Sequence, residues 1–196
     1  MGMAPPETDL AADVLDRLRA YAALLATWTR RINLVSRADA PQIWSRHVLD
    51  SLRLLPLIPV GTDRAIDLGS GAGLPGLVLA IASGVAFELV EADRRKAAFL
   101  GEAQRVTGAP VRVHCGRIER LDLAPAMLVT ARALAPLDAL LGLASPLLAP
   151  GGTGLFPKGA GVGDELAEAR RHWRMDVRFL GDPGSPILAV TGLARA

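Results

Sequence analysis

The stretch from Ala65 to Gly76 restricts what this chain can fold into more than any other. A short apolar run, Ala65 to Leu68, leads directly into Gly69, Gly71, Gly73 and Gly76, and then into a second apolar run, Leu77 to Ala82. That order predicts a buried strand, a tight loop and an apolar helix. Glycine is required where φ is positive or where a ligand must approach the backbone, because a Cβ would clash. The free N–H groups at the start of the following helix favour a polar or anionic ligand group. The stretch reads as the first strand–loop–helix unit of a nucleotide-type site.

Two spacings overlap within it. Gly71-x-Gly73-x-x-Gly76 fits the dinucleotide pattern, in which a pyrophosphate sits on the helix N-terminus. Asp67-x-Gly69-x-Gly71-x-Gly73 fits the glycine loop of S-adenosylmethionine (AdoMet) methyltransferases. The dinucleotide frame starts late after the strand and carries Pro75 between its last two glycines. In the second frame Asp67 ends the strand and its carboxylate is expected to engage the ligand's ammonium, so this frame is the better one. A second β-like run, Phe87 to Val90, ends on Glu91, near the ~20-residue interval at which an acid meets a ribose hydroxyl. Glu91 supports adenosine recognition under either frame without choosing the cofactor.

A chain of 196 residues, 51% apolar and 21% charged, suits one globular α/β domain with a helical extension. No apolar run reaches the ~18 residues of a membrane span, and the N-terminus lacks a signal-peptide pattern. One cysteine, Cys115, permits no internal disulfide and no cysteine cluster for zinc or iron–sulfur, so no metal is expected and a cytoplasmic location is. The net charge of +2 says little about nucleic acid, but Lys96 and Lys158 stand against twenty arginines. Arginine stacks on bases and grips phosphate bidentately, so a few clustered arginines suffice for RNA. High genomic GC content explains the same bias without any function.

Residues 1–7 read as a frayed end, followed by a helix capped by Thr8 or Asp9 and running to about Arg30. Its apolar positions Leu10, Val14, Leu18, Tyr21, Leu25 and Trp28 step by three or four. Asp39 is expected to cap a second helix, with Pro41 in its first turn and its end before Pro56. Ile43, Val48, Leu52 and Leu55 face the core in this reading, and Trp44, His47, Asp50 and Ser51 share another face. A His, an Asp and a Ser together invite a hydrolase reading, but no shaped nucleophile turn or oxyanion hole accompanies them. A polar cluster pinning this helix to the main domain explains them better.

The α/β alternation begins after the short Pro56–Gly61 connection. Strands are expected near 64–68, 86–91, 111–114, 127–131, 153–156, 175–180 and 187–191, with helices near 75–83, 94–107, 137–147 and 164–173. This pattern predicts a Rossmann-like, mostly parallel seven-stranded sheet with helices on both faces, closed by an antiparallel return. The division is an N-terminal helical extension over 1–60, packed on a domain over 61–196. Ligands of such sheets bind at the carboxyl ends of strands. That brings Gly69 to Leu74, Glu91, Cys115 to Glu119, Thr130 to Arg132 and Lys158 to one rim.

Taken together, His47 to Leu52, Asp67 to Gly76, Arg132-Ala133 and Lys158-Gly159 resemble the glucose-inhibited division protein B family, the small-subunit ribosomal RNA guanine-N7 methyltransferases. The likeness runs from about Ile32 to the C-terminus, and the glycine loop with its Leu-Pro-Gly is the most diagnostic part. The resemblance implies a methyltransferase fold, AdoMet as donor and N7 of one guanine, number 527, in 16S rRNA as acceptor. The chain is short and shows no second RNA-binding domain, so specificity is expected to come from the shape of the folded target, presented by the small ribosomal subunit or an assembly intermediate, to a monomer. By motif, Gly69, Gly71, Gly73 and Leu74 lie against AdoMet, Glu91 near its ribose, Ile118 and Glu119 flank its adenine, and Arg132 is the arginine at the fourth strand. Glu91 stands where many members have Asp, Ala92-Asp93-Arg94 replaces a small-residue turn, and Pro157 precedes Lys158.

Guanine N7 carries an in-plane lone pair and no proton at neutral pH, so no general base is expected. Catalysis then rests on approach and alignment, which supply ~7–11 kcal/mol in well-oriented systems. Arg132 and Lys158 are the candidates for holding guanine O6 or a phosphate; otherwise they form ion pairs with Glu91 or Glu119. Arg30, Arg31, Arg37, Arg46, Arg94, Arg95 and Lys96 form an RNA-binding surface if they flank the cofactor mouth, and a solvated face if they do not. Trp28 and Trp44 are expected in the core. The competing functions are an NAD(P) oxidoreductase using Gly71 to Gly76 with Glu91, and a non-catalytic RNA-binding module on the same fold.

Overall fold

The computed structural model describes residues 10–196. The frayed end and the Thr8 or Asp9 cap lie outside these residues. Helix α1 spans Ala12–Thr29, and its N-cap is Ala11 in extended conformation, with no side-chain cap bond. Its stripe is buried as the spacing predicts: Leu18, Tyr21 and Leu25 have no exposure, and Leu10, Val14 and Trp28 pack around them.

The second expected helix is instead a broken path. Ala40–Gln42 is a 3-10 turn, Trp44–Val48 a π-turn, α2 is only Leu49–Leu52, and Leu55–Leu57 is again 3-10. Asp39 does not cap with its side chain. Its carboxylate instead accepts from the Ser36 hydroxyl at 2.6 Å and pairs with Arg46 at 2.8 Å. The wider π-turn shifts the apolar register, so Leu54 is fully buried and the expected Leu55 only partly so.

From β1 (Arg64–Leu68) the chain alternates α3 (Gly76–Ser83), β2 (Ala86–Glu91), α4 (Arg94–Thr107), β3 (Val111–Cys115), β4 (Ala126–Thr130), α5 (Leu137–Ala144), β5 (Leu148–Pro157) and α6 (Val162–Ala169). It closes with β6 (Trp173–Leu180) and β7 (Ile187–Arg195). The sheet order is β3-β2-β1-β4-β5-β7-β6, with β7 antiparallel between β5 and β6. The expected fold class is therefore the observed one. The reversal of strand order at β1 and β4 opens the crevice in which ligands of such sheets bind.

Alternation along β1 divides the core. Ala65 faces the layer of α1, α3 and α4, whereas Ile66 and Leu68 face that of α5 and α6. Helix α3 is apolar almost all round because it is buried almost all round, and it stops at Gly84 in the left-handed region. Helix α4 is amphipathic, and Asp93 caps it by accepting from the amides of Arg95 and Lys96. Trp28 stands edge-on to Phe99 of α4 with ring centroids 5.7 Å apart, so this tryptophan packs against the core. The N-terminal segment and α3–α4 thus share one hydrophobic cluster. No helix among the described residues is long and apolar enough to cross a membrane.

Candidate active site

The glycine loop leaves β1 and folds back under its own anchors. Tyr21 of α1 donates to the Ala72 carbonyl at 2.7 Å, fully buried, and the Ser70 amide donates to the carbonyl of Val90 at 2.9 Å. Burial raises the Tyr21 phenol well above its ordinary value, so it stays a donor. Asp67 sits beneath the loop with no exposure and accepts from Thr130 Oγ1 at 2.6 Å. Its second oxygen lies against the Gly76 backbone without a well-formed hydrogen bond, and burial pushes the pKa to about 6 against the bond from Thr130. Asp67 is the penultimate residue of the strand and faces α3 rather than any cavity. The expected contact between Asp67 and a ligand ammonium is not made available; this acid supports the loop from below.

Above the loop lies a cavity of about 300 Å³ at the ends of β1, β2, β3 and β4. Gly69, Gly71, Glu91, Ile118 and Glu119 line it together, with Lys96 and Gly116 beside them. Glu91 is nearly buried and accepts from the amide of Gly71 at 2.8 Å and of Asp93 at 2.7 Å. It is thus locked to the loop rather than solvated at a strand end. Gly71 has φ +56° and open space where a Cβ would stand, so the backbone itself forms the wall. Gly73 and Leu74 do not reach the cavity: a Cβ on Gly73 would stand 2.9 Å from Leu77, and Leu74 belongs to the core. Gly76 packs directly on Asp67. The late GxGxxG frame therefore brings one of its three glycines, Gly71, to the ligand space. Glycine backbone, apolar Ile118 and Leu143, and the carboxylates Glu91 and Glu119 fit an adenosine bearing a polar amino-acid tail.

Arg132 and Lys158 stand on a second cavity of about 450 Å³ with Asp50, Glu165 and Ser185. Ala133 and Leu134 line both cavities and divide them. Ala133 has φ +53°, a left-handed conformation that L side chains rarely adopt, and holds Leu134 over Gly69. Arg132, expected also beside the cofactor, faces the second cavity only. Its guanidinium reaches Asp50 at 3.3 Å and His47 Nδ1 at 3.2 Å. Burial, aided by Arg132, lowers the His47 pKa, so the ring stays neutral and accepts. Lys158 Nζ lies 2.7 Å from Glu165 and 3.2 Å from the Ala135 carbonyl. Both cations are therefore paired, but with Asp50 and Glu165, not with Glu91 or Glu119.

The cluster of His47, Asp50 and Ser51 pins the N-terminal segment to the sheet. Ser51 donates to the His47 carbonyl at 2.7 Å, so its hydroxyl is no nucleophile aimed at a cavity. Arg53 continues the latch, donating to Asp50 at 2.8 Å and to the Ser185 carbonyl at 2.7 Å. Leu134, Glu165 and Ser185 carry no signal in the sequence, because each enters through a loop or helix remote from the glycine loop. Asp50 does carry one: its place on the face of His47 and Ser51. Thr130 is buried on Asp67, and Cys115 is a free, exposed thiol.

The family model described as GidB, rRNA small subunit methyltransferase G, matches residues 14–180. A protein of that name from Acidiphilium cryptum is 55% identical over 185 residues, covering 91% of this chain and 85% of its own length. Another from Paramagnetospirillum magneticum is 50% identical over 192 residues, covering 96% and 94%. Among solved structures, an O-methyltransferase from Bacillus cereus in complex with SAH has a TM-score of 0.56 at 15% identity, covering 92% of this chain and 91% of that one. At that identity the structural likeness carries the fold alone. Identity at half of all positions across nearly the whole length carries more: the chain belongs to the rRNA small subunit methyltransferase G family.

Proposed function

We propose that this chain methylates N7 of guanine 527 in 16S rRNA, with AdoMet as donor, acting as a cytoplasmic monomer on the small ribosomal subunit or an assembly intermediate. The observation that carries the proposal is the pair of cavities meeting at Ala133 and Leu134, one walled by glycine backbone and the other by side-chain cations. Gly69, Gly71, Glu91, Ile118 and Glu119 hold AdoMet, which supplies an electrophilic methyl group when bound. Arg132 and Lys158 hold the guanine or its phosphate.

The chemistry asks little of the protein in proton transfer. Guanine N7 has no proton to lose, which matches a neutral His47 already engaged by Arg132. The task of the chain is alignment, and its means are the latched Arg132 and the paired Lys158. N7 methylation leaves a positive charge on the guanine ring. An acceptor cavity of bare cations would oppose that charge. Here two cations are balanced by Asp50 and Glu165, so the cavity grips polar groups without repelling a cationic base.

The decisive experiment is methyl transfer from labelled AdoMet to small subunits lacking this modification, with the modified base then mapped. Label on guanine N7 at the proposed position is the expected result. Label on no RNA refutes the proposal. Because the acceptor must be presented unstacked, ribosomal particles are expected to be good substrates and short naked stem-loops poor ones.

A further inference from the structure

Beyond the two cavities at the strand ends, a third of about 670 Å³ opens where α1 ends. Thr29, Arg30, Arg31, Asn33 and Arg37 line it, and no acidic residue occurs between Arg30 and Ala38. Among the described residues none of these three arginines forms an ion pair, whereas Arg46 nearby is taken by Asp39 at 2.8 Å. Thr29 Oγ1 is buried there without a hydrogen-bond partner. A smaller cavity of about 240 Å³ shares Ile32 and Asn33 with it and adds Asp93, Arg95 and Lys96. Lys96 in turn lines the cofactor cavity. The three spaces form one trough, from Arg37 to the mouth above Glu91.

The charge along this trough is unbalanced in a chain whose formal net charge is only +2. In the two spaces distal to the cofactor cavity, five cations, Arg30, Arg31, Arg37, Arg95 and Lys96, face one carboxylate, Asp93, and Glu91 and Glu119 enter only at the cofactor mouth. The Asp93 carboxylate is already occupied by the amides of Arg95 and Lys96. The carbonyl end of α1 disfavours an anion, but only weakly against three unpaired guanidiniums. The acceptor cavity, with two cations and two carboxylates, suits a base; the trough suits a polyanion.

We propose that this trough binds the phosphate backbone of the RNA strand flanking the target guanine, with Arg30, Arg31 and Arg37 as the distal anchor and Lys96 delivering the strand to the cofactor mouth. The proposal rests on the rRNA reading above. It supplies a means of recognising the folded target by its backbone path, in a chain that reads its base in a separate cavity.

The test compares the native protein with an R30A/R31A/R37A variant. Each is titrated with unmodified small subunits and with a labelled single-stranded RNA over a range of salt. The slope of log affinity against log salt should fall by about two in the variant, at ~0.7 per lost single-strand phosphate contact. AdoMet affinity, measured by calorimetry, should be unchanged, since no anchor arginine lines that cavity. An identical salt slope with intact AdoMet binding overturns the proposal. If the variant loses AdoMet binding, photo-crosslinking of RNA to the native protein decides. Adducts within residues 29–37 and at Arg95 or Lys96 uphold the trough, and adducts confined to other segments overturn it. A native protein that shows the salt effect but methylates no rRNA refutes the enzymatic reading while leaving the trough in place.

Discussion

The two halves of the site are built by opposite means. The cofactor half is backbone and close packing: a glycine loop tied down by Tyr21 and Ser70, with Glu91 fixed by two amides. The acceptor half is side chains bonded across long sequence separations, Arg132 to Asp50 and Arg53 to Ser185. A loop secured by main-chain contacts tolerates little change of residue, because a Cβ on Gly69, Gly73 or Gly76 would meet a neighbouring side chain and Gly71 needs a positive φ. A lattice of ion pairs tolerates substitution but depends on every element reaching its place. Losing a residue from the first half should therefore cost binding, and losing one from the second should cost turnover.

The largest expected effect is on the cofactor half alone. Gly71→Val should lower AdoMet affinity by about 1,000-fold, or ~4 kcal/mol, since its side chain fills the cavity and its φ of +56° disfavours a β-branched residue. The fold should survive, because a Cβ there meets nothing closer than the Gly69 carbonyl at 3.8 Å. Calorimetry showing near-native AdoMet affinity would remove the loop from the site.

Asp67 tests whether the support under the loop is as rigid as its packing. Its folded pKa of about 6 lies above the ordinary 3.8 because burial favours the protonated form. The folded state thus holds more protons than the unfolded one between those values. The stabilising contribution is full below about pH 4 and is lost as pH rises through 6, a difference of about 3 kcal/mol. Denaturation of Asp67→Asn across pH 4–7 should show that slope removed; an unchanged slope would place the titration elsewhere.

For the acceptor half, Arg132→Ala should slow methyl transfer by about 100-fold while changing AdoMet affinity less than about threefold. Equal losses in both would dissolve the distinction between the halves, returning Arg132 to the cofactor. Lys158→Met should cost about tenfold in transfer, the smallest effect, because Glu165 keeps the Leu137 amide at 2.7 Å as a second donor. Single-turnover rates on unmodified subunits measure both.

The contrast also explains what could be read in the sequence. Strand-loop-helix order, glycine spacing and the acid at Glu91 are local patterns, and the cofactor half was legible in them. The mostly parallel sheet and its antiparallel return followed from the same alternation, whereas the strand order β3-β2-β1-β4-β5-β7-β6 is set by which helices cover which face. Arg132 and Lys158 stood out as rim cations, but their partners did not, since Asp50 is 82 positions from Arg132 and no periodicity links them. Asp67 was expected at the ligand because strand ends form the rim, but its side chain lies on the α3 face, where the close approach of Gly76 buries it. The broken path over residues 40–57 was hidden for a related reason. A three-or-four-residue apolar step looks alike for an α-helix and for a chain of 3-10, π and α turns that buries similar side chains.

The bond from Tyr21 to Ala72 has a consequence for how the chain comes into being. Synthesis delivers α1 first, at ~5–20 residues per second. Its buried stripe of Leu18, Tyr21 and Leu25 must then wait for Ala72, and for Phe99, whose ring lies 6.4 Å from that of Tyr21. At that pace the 78 residues separating Tyr21 from Phe99 take about 4–16 s to add. For those seconds the apolar stripe of α1 lacks its partner on α4 and is covered at most by the segments made before it, among them Val48, Leu52 and Leu77.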